Sequence, residues 1–395
     1  MKVIQLNSTC AGSTGKIATE ISKTLTENGV ENYLFFSEGL PSVKNASKIG
    51  SPTISFLNKV FSHIGGRYGF IDFFNTRLLI KKIDAIKPDV IHIHNIHNHA
   101  YNLAKLFRYL NKENIKIVWT FHDCWAFTGG CTYFDYVNCN KWKTRCNKCP
   151  QLKTYSEFFD SSARNYERKK RCFRKRMTII CPSLWMKSLV ESSFLKNNKI
   201  VTLNNGIDSE SYSYSKEKAD LFALKHNIKP TSKVILSVAY SFTARKGVDD
   251  IPKIAERMGD DYVFVLIGHF PKKRKFTDNV LCISRTENVE ELIGAYSRAD
   301  VLLNTTYEDN YPAVNLEAVA CGLPVITYDS GGSKESMFRF GEVVERGNIV
   351  KVIDAIHRVI NNGKDAYTKP DYSFFDSKRI CTKILDIYND VLSME

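Results

Sequence analysis

Short apolar runs alternate with longer stretches of helical periodicity along the whole chain of 395 residues. "KVIQL" (2–6), "NYLFF" (32–36), "DVIHIH" (89–94), "KIVWTF" (116–121) and "MTIIC" (177–181) read as buried strands, most of them separated by amphipathic stretches. A second series follows in "KVILSVA" (233–239), "DYVFVLIG" (261–268), "NVLCIS" (279–284), "DVLLNTT" (300–306) and "LPVITYD" (323–329). Helical patterns such as "VDDIPKIAERM" (248–258) and "NVEELIGAYSRA" (288–299) separate these. Strands alternating with helices predict an α/β fold with parallel sheets covered by helices.

Turn residues cluster in "TLNNGIDSE" (202–210), so the pattern holds two α/β series. The expected domains are 1–195, with a Cys-rich insertion at 129–150, and 196–375; the amphipathic end, "SKRICTKILDIYNDVLSME", makes a last helix over 376–395. Open α/β sheets take ligands at the carboxyl ends of their strands, so candidate chemistry belongs just after the strands.

A hydrophobic content of 43% suits a globular protein with real cores. The start, "MKVIQLNSTC", lacks the pattern of a secretory signal, and no window reaches the roughly 18 apolar residues of a membrane-spanning helix. The expectation is a cytoplasmic protein, soluble or on a membrane surface. A net charge of +14 favours phosphate-rich partners: nucleotides, nucleic acid or anionic lipid. Basic residues cluster in 163–177, which holds eight Lys or Arg, and in "PKKRK" (271–275), which holds four; each reads as a solvated face or a docking patch. Eleven cysteines without an export signal argue against a disulfide scaffold. Cys321 and Cys381 lie in apolar helix patterns and read as small core residues.

"GSTGKI" (12–17) follows the first strand and invites a phosphate-loop reading. The P-loop pattern G-x-x-x-x-G-K-[ST] fails twice, because Cys10 stands five before Gly15 and Ile17 replaces the hydroxyl residue. G-x-G-x-x-G fails as well. What survives is a strand, a turn and a helix starting near Gly15. It serves either as a plain tight turn or as a set of N–H groups offered to an anion or sugar hydroxyl. In 305–335, the strand "DVLLNTT" leads into a loop with Glu308 and Asp309, Pro312 suits the next helix's first turn, and that helix closes at Gly322. Glu317 is about two turns into the helix, and the following strand ends in Gly331-Gly332.

The spacing Asp309-x7-Glu317 followed by "AVACGLPV" resembles the E-x7-E mark of the retaining GT-B glycosyltransferases of family 4, with Asp in place of the first Glu. "PDVIHIHNIHN" (88–98), "WTFHDCWAFTGGC" (119–131), "CPSLWM" (181–186), "LNNGID" (203–208) and "VAYSFTARKGVDD" (238–250) resemble segments of bacterial members that build capsule, exopolysaccharide or O-antigen, so the likeness covers nearly the whole chain. It implies a GT-B fold, two Rossmann-like domains facing a cleft, with a C-terminal helix that can cross back to the first domain. It implies retaining transfer of a sugar from a UDP- or GDP-linked donor to a lipid-linked or oligosaccharide acceptor, with no cofactor for catalysis.

The resemblance also implies roles. Lys246 matches the lysine on the donor diphosphate; the family arginine five residues earlier is Ser241 here, so Arg245 takes its place. Fixed cations stabilise the departing diphosphate, although an Arg-Lys pair also reads as ordinary surface charge. Glu317 matches the acceptor of the ribose hydroxyls, and Asp309 or its neighbour Glu308 the carboxylate on the donor sugar. Asn315, Gly15, Gly331 and Gly332 fall on the donor side, the glycines through close backbone approach or as helix caps. His122 matches the "FH" histidine, a hydrogen-bond donor to the donor sugar; the donor phosphate itself takes the acceptor's proton. Gly12, His94 and Asn95 fall on the acceptor side. His92, His94 and His97 crowd one strand end, where alternation alone puts His92 and His94 on one face.

Cys131, Cys139, Cys146 and Cys149 give C-x7-C-x6-C-x2-C, read either as a structural zinc site or as disulfides or free thiols. Other classes stay open: a nucleic-acid-binding zinc-knuckle protein using the basic stretch, or a sugar-nucleotide epimerase of the same fold. The transferase reading leaves nucleic acid without a role and gives the basic stretch an anionic inner-membrane surface to dock on.

Overall fold

The computed structural model describes residues 1–393 except 42, 51, 98–100 and 272–273. Lys272 and Lys273 of the "PKKRK" cluster, Asn98 of the "PDVIHIHNIHN" word and the last two residues of the C-terminal helix pattern lie outside the described residues.

The chain divides into two units, residues 1–205 with 378–395, and residues 206–377. The first holds β1 (Lys2–Leu6), β2 (Glu31–Phe36), β3 (Ala46–Lys48), β4 (Val90–Ile93), β5 (Lys116–Thr120), β6 (Thr178–Cys181) and β7 (Lys199–Thr202). They form a parallel sheet in the order β3-β2-β1-β4-β5-β6-β7. The second holds β8 (Lys233–Ser241), β9 (Tyr262–His269), β10 (Val280–Ile283), β11 (Val301–Asn304), β12 (Val325–Tyr328) and β13 (Gly341–Val344). Their order is β10-β9-β8-β11-β12-β13, again parallel. Both units are Rossmann-like. Central strands such as β4, β6 and β12 are buried at every position, as strands covered on both faces must be.

β3, β7 and β13 are the strands that apolar periodicity does not announce. Each lies at a sheet edge, where one neighbour is enough and the sequence carries less apolar signal. β7 also moves the boundary: it pairs with β6, Ile179 opposite Ile200, so the first unit runs to Asn205 rather than 195.

The topology names two places for chemistry. In the first sheet, strand order reverses between β1 and β4, which pair with Leu6 opposite Ile93; in the second it reverses between β8 and β11, with Leu236 opposite Leu302. A ligand crevice opens at such a reversal, beyond the carboxyl ends of the strands.

The last helix, Ser377–Ser393, crosses back to the first unit. Cys381, Ile384, Tyr388 and Val391 pack with Val3, Ile21, Leu25, Val90, Val118 and Ile180 in one core. Its Tyr388 hydroxyl meets His92 Nδ1 at 2.6 Å, and His92 Nε2 lies 2.8 Å from Thr120 Oγ1. Burial, helped by the neighbouring His122, lowers the His92 pKa to about 3.

Two outcomes follow from this helix. Ile384→Ala leaves a void in that core and is expected to lower unfolding stability by about 2–5 kcal/mol in urea titrations. His92 stays neutral in the folded chain, while in the unfolded chain it gains a proton below about pH 6.5. Its contribution is therefore complete above pH 6.5 and is lost as pH falls toward 3, at no more than roughly 1.4 kcal/mol per pH unit. The urea midpoint should drop over that window, and His92→Gln should flatten the slope.

Candidate active site

The carboxyl ends of β8 and β11 carry a buried ion pair. β8 runs into a single 3₁₀ turn, Ala244–Lys246, closed by Gly247 at φ 68°. A Cβ on Gly247 would stand 1.9 Å from the Thr305 carbonyl oxygen, so only glycine lets this turn lie against the loop after β11. Hydrogen bonds join the two segments: the Tyr307 N–H donates to the Arg245 carbonyl at 2.7 Å, and the Thr305 hydroxyl is shared between the Lys246 and Gly247 carbonyls at 3.2 Å.

Lys246 Nζ donates to Asp309 Oδ2. Arg245 Nη1 donates to the Glu308 carbonyl at 2.5 Å and stands 4.0 Å from Asp309 Oδ2. Burial works against the Asp309 carboxylate, but Lys246, Arg245 and the Asn310 N–H outweigh it and hold its pKa below the ordinary value. Burial lowers the Lys246 pKa and Arg245 adds to this, while Asp309 opposes both. The pair rests as ammonium and carboxylate, the state in which each compensates the other's lost hydration. Of the two acidic neighbours, Asp309 meets the cations, and the Glu308 side chain is completely buried.

Gly331, at φ 55°, lies against Asp309: a Cβ there would stand 2.0 Å from the Asp309 carbonyl oxygen, which accepts the Gly332 N–H at 2.9 Å. The two glycines thus position the carboxylate's backbone. Asn315 supports them from the helix Ala313–Ala320. It is fully buried, and its amide donates to the Ser333 carbonyl at 3.1 Å and Ser336 Oγ at 3.0 Å while accepting from Asn304 Nδ2 at 2.8 Å. Its amide is therefore committed to framing the loop.

Pro312 caps that helix and Gly322 follows its end at φ 67°, as the sequence predicts, although Glu317 comes one turn in rather than two. Glu317 Oε2 accepts the Tyr296 hydroxyl at 2.7 Å, and Tyr212 also bonds to this carboxylate. Burial first, then the Glu317 charge, push both phenols up, so they stay donors. A carboxylate offers about four acceptor sites, more than two phenols use. Neither tyrosine stands out in sequence: Tyr296 lies in an amphipathic helix pattern and Tyr212 among serines. Asp250, which accepts both Tyr307 and Tyr328 hydroxyls at 2.9 Å, was equally invisible there.

The carboxyl ends of β1 and β4 hold a neutral polar array. Gln5 Nε2 donates to the Ala18 carbonyl at 3.2 Å, which turns its Oε1 to His94 Nε2 at 3.0 Å. The proton of His94 is therefore on Nε2, and its Nδ1 accepts from His122 Nε2 at 3.1 Å. The resemblance makes His122 a donor to sugar; in this network its N–H is given to His94, and its other nitrogen is an acceptor. Burial lowers His122 to about 4, against the pull of Asp123, and burial, with the neighbouring His92 and His122, also holds His94 well below the ordinary value. The His92 and His94 rings share one face, 4.1 Å apart, and His97 Nε2 meets Asp123 Oδ2 at 3.0 Å. The Asn95 N–H reaches Asn7 Oδ1 at 3.1 Å.

"GSTGKI" lies inside the helix Gly12–Glu27, which begins three residues before the expected Gly15. A Cβ on Gly15 would stand 2.3 Å from the Cys10 carbonyl carbon, so this glycine serves close packing of helix on loop. Gly12, at φ 70°, is exposed.

Cys131, Cys139, Cys146 and Cys149 line one solvent-open cavity, and all eleven cysteines of the chain are free of disulfides. Among the described residues no three His, Cys, Asp or Glu side chains converge as metal ligands. Without a metal, burial pushes the thiols up, Cys146 to about 11, and an aromatic cluster orders the loop, Trp142 packing on Phe127 and Phe134 at 5.2 and 4.8 Å. Lys169 of the basic stretch is also inside: its ammonium bonds the Trp125 and Thr128 carbonyls, 3.4 Å above the Trp125 ring.

Known proteins agree with this geometry. The Glycosyltransferase Family 4 profile matches residues 14–211, half of the chain, and that of Glycosyl transferases group 1 matches 218–370. The putative colanic acid biosynthesis glycosyl transferase WcaC of Escherichia coli K12 is 25% identical, with 86% of each chain covered. A glycosyltransferase from Rickettsia africae superposes with a TM-score of 0.71 at 14% identity, covering 100% of this chain and 99% of that one. Alr3699/HepE of Anabaena, solved in complex with UDP-glucose, superposes with a TM-score of 0.70 at 12% identity, covering 99% and 100%. The chain belongs to Glycosyltransferase Family 4 and is a glycosyltransferase of GT-B architecture.

Proposed function

We propose that this enzyme transfers a sugar, with retention of configuration, from a UDP-linked donor to a lipid-linked glycan during surface polysaccharide synthesis, working at an anionic inner-membrane surface. The observation that carries the donor half is the Lys246–Asp309 pair, with Arg245 beside it, at the strand reversal of the second unit. The UDP-glucose complex of HepE and the biosynthetic name of WcaC support the choice of donor and pathway class.

In the resting enzyme Asp309 keeps Lys246 charged without water. When the donor binds, its diphosphate meets Lys246 and Arg245 already in place. The sugar C1–O(phosphate) bond breaks, and the leaving diphosphate takes up the bond's electron pair against fixed cations. The acceptor hydroxyl oxygen bonds to C1 on the same face, and its proton passes to the departing phosphate oxygen, so no protein base is required. Glu317, oriented by two phenols, accepts the ribose hydroxyls. His122, its N–H held by His94, accepts from a sugar hydroxyl.

Lys246→Ala is expected to lower kcat by roughly 10²–10³-fold. Glu317→Gln is expected to act mainly on the donor KM. A panel of nucleotide sugars scored by thermal stabilisation identifies the donor, and stabilisation unaffected by Lys246→Ala, Asp309→Ala and Glu317→Ala alike would refute the site. Product anomers read by NMR test retention. Release of UDP in step with product separates transfer from epimerisation.

A further inference from the structure

The helix Pro52–Gly65 is turned inside out. Its inward line is Ile54, Asn58, Ser62 and Gly65, with Ser62 fully buried. Its solvent side carries Phe56, Leu57, Val60, Phe61 and Ile64, each 37–66% exposed. Asn58 Nδ2 and Ser62 Oγ are buried without a hydrogen-bond partner. A helix that faces only water does the reverse. Phe158 and Phe159, also exposed, continue the apolar surface at its C-terminal end, where Glu157 N–H bonds the His63 carbonyl at 3.1 Å and Ser161 Oγ the Gly65 carbonyl at 2.6 Å.

Positive charge predominates around this face, with the exposed Glu157 3.6 Å from His63 at the helix end. Residues 39–83 contain seven Lys or Arg and a single acid, Asp72, which is buried as the cap of the helix Phe73–Ile86. At the helix end Asn165 Nδ2 bonds the Gly66 carbonyl at 2.6 Å, which brings the basic helix Ser162–Cys172 alongside, and Arg168 of that helix feels the charges of Arg67, Arg164 and Arg171. An apolar face rimmed by cations matches acyl chains beneath anionic headgroups.

We propose that the helix Pro52–Gly65 lies in the interfacial plane of an anionic bilayer, its phenylalanine face among the acyl chains and the neighbouring arginines on the headgroup phosphates. This rests on the membrane-surface reading above and assigns it to a surface, one in which the basic stretch is the rim and the apolar helix the anchor.

The test is co-sedimentation of the full chain with phosphatidylcholine vesicles, pure or with roughly one-third phosphatidylglycerol. Wild type should bind the anionic vesicles, and Phe56→Ser/Phe61→Ser should bind at least about tenfold more weakly with an unchanged melting temperature. Both side chains are exposed, so the variant has no core to lose. Wild type that binds no vesicle defeats both the membrane reading and this assignment. A variant that binds like wild type defeats only the assignment. Self-association of wild type in analytical ultracentrifugation, abolished in the variant and without vesicle binding, gives the face to a second copy and also overturns the proposal.

Discussion

A buried ammonium survives only with a counter-charge in contact, and the second unit is arranged around that requirement. Lys246 leaves β8 in a turn that has no room for a side chain at Gly247, and it meets Asp309 from the loop after β11. Asp309 in turn is fixed by a glycine turn that has no room for a side chain at Gly331. Three loops from three strand ends are stacked backbone to backbone, so the charges are aimed before any ligand arrives. Such preorganisation is how a protein stabilises developing charge without rearranging at the moment of reaction.

The two units repeat one topology and fill its reversal point with opposite electrostatics. After β8 and β11 stand two cations and a carboxylate. At the carboxyl ends of β1, β4 and β5 stand Gln5, His94 and His122, all neutral because burial depresses the imidazoles. Charges suit a diphosphate; a chain of neutral donors and acceptors with a fixed tautomer suits hydroxyl groups. The Ala18 carbonyl decides the direction of that chain, since it accepts only and so orients the Gln5 amide. The C-terminal helix closes the same region by giving His92 its tyrosine partner.

What orders the Cys-rich loop is not written in its cysteine spacing. Four cysteines at knuckle-like intervals do surround one cavity, yet the loop is held by Trp142 among aromatic rings and by Lys169 reaching two carbonyls. Trp142 and Lys169 look like surface residues in a basic, polar segment. Burial lowers the Lys169 pKa to about 7, and two carbonyl oxygens and an indole face offset part of the lost hydration. The same kind of inversion marks the helix Pro52–Gly65, where the period is legible and the direction it faces is not.

The fold class, both series of strands and the words around Asp309, Glu317, Lys246 and His122 were determined by the sequence, because buried strands must be apolar and because this chemistry needs cations, carboxylates and glycines just after strand ends. Edge strands β3, β7 and β13 escaped it, since an edge demands little apolar signal. Tertiary structure alone decided which of Glu308 and Asp309 meets the lysine, that Asn315 frames a loop, that Tyr212 and Tyr296 orient Glu317, and which nitrogen of His122 carries the proton. Those choices depend on contacts between residues tens to hundreds of positions apart, and linear periodicity carries no information about which distant groups a folded backbone brings within hydrogen-bond reach.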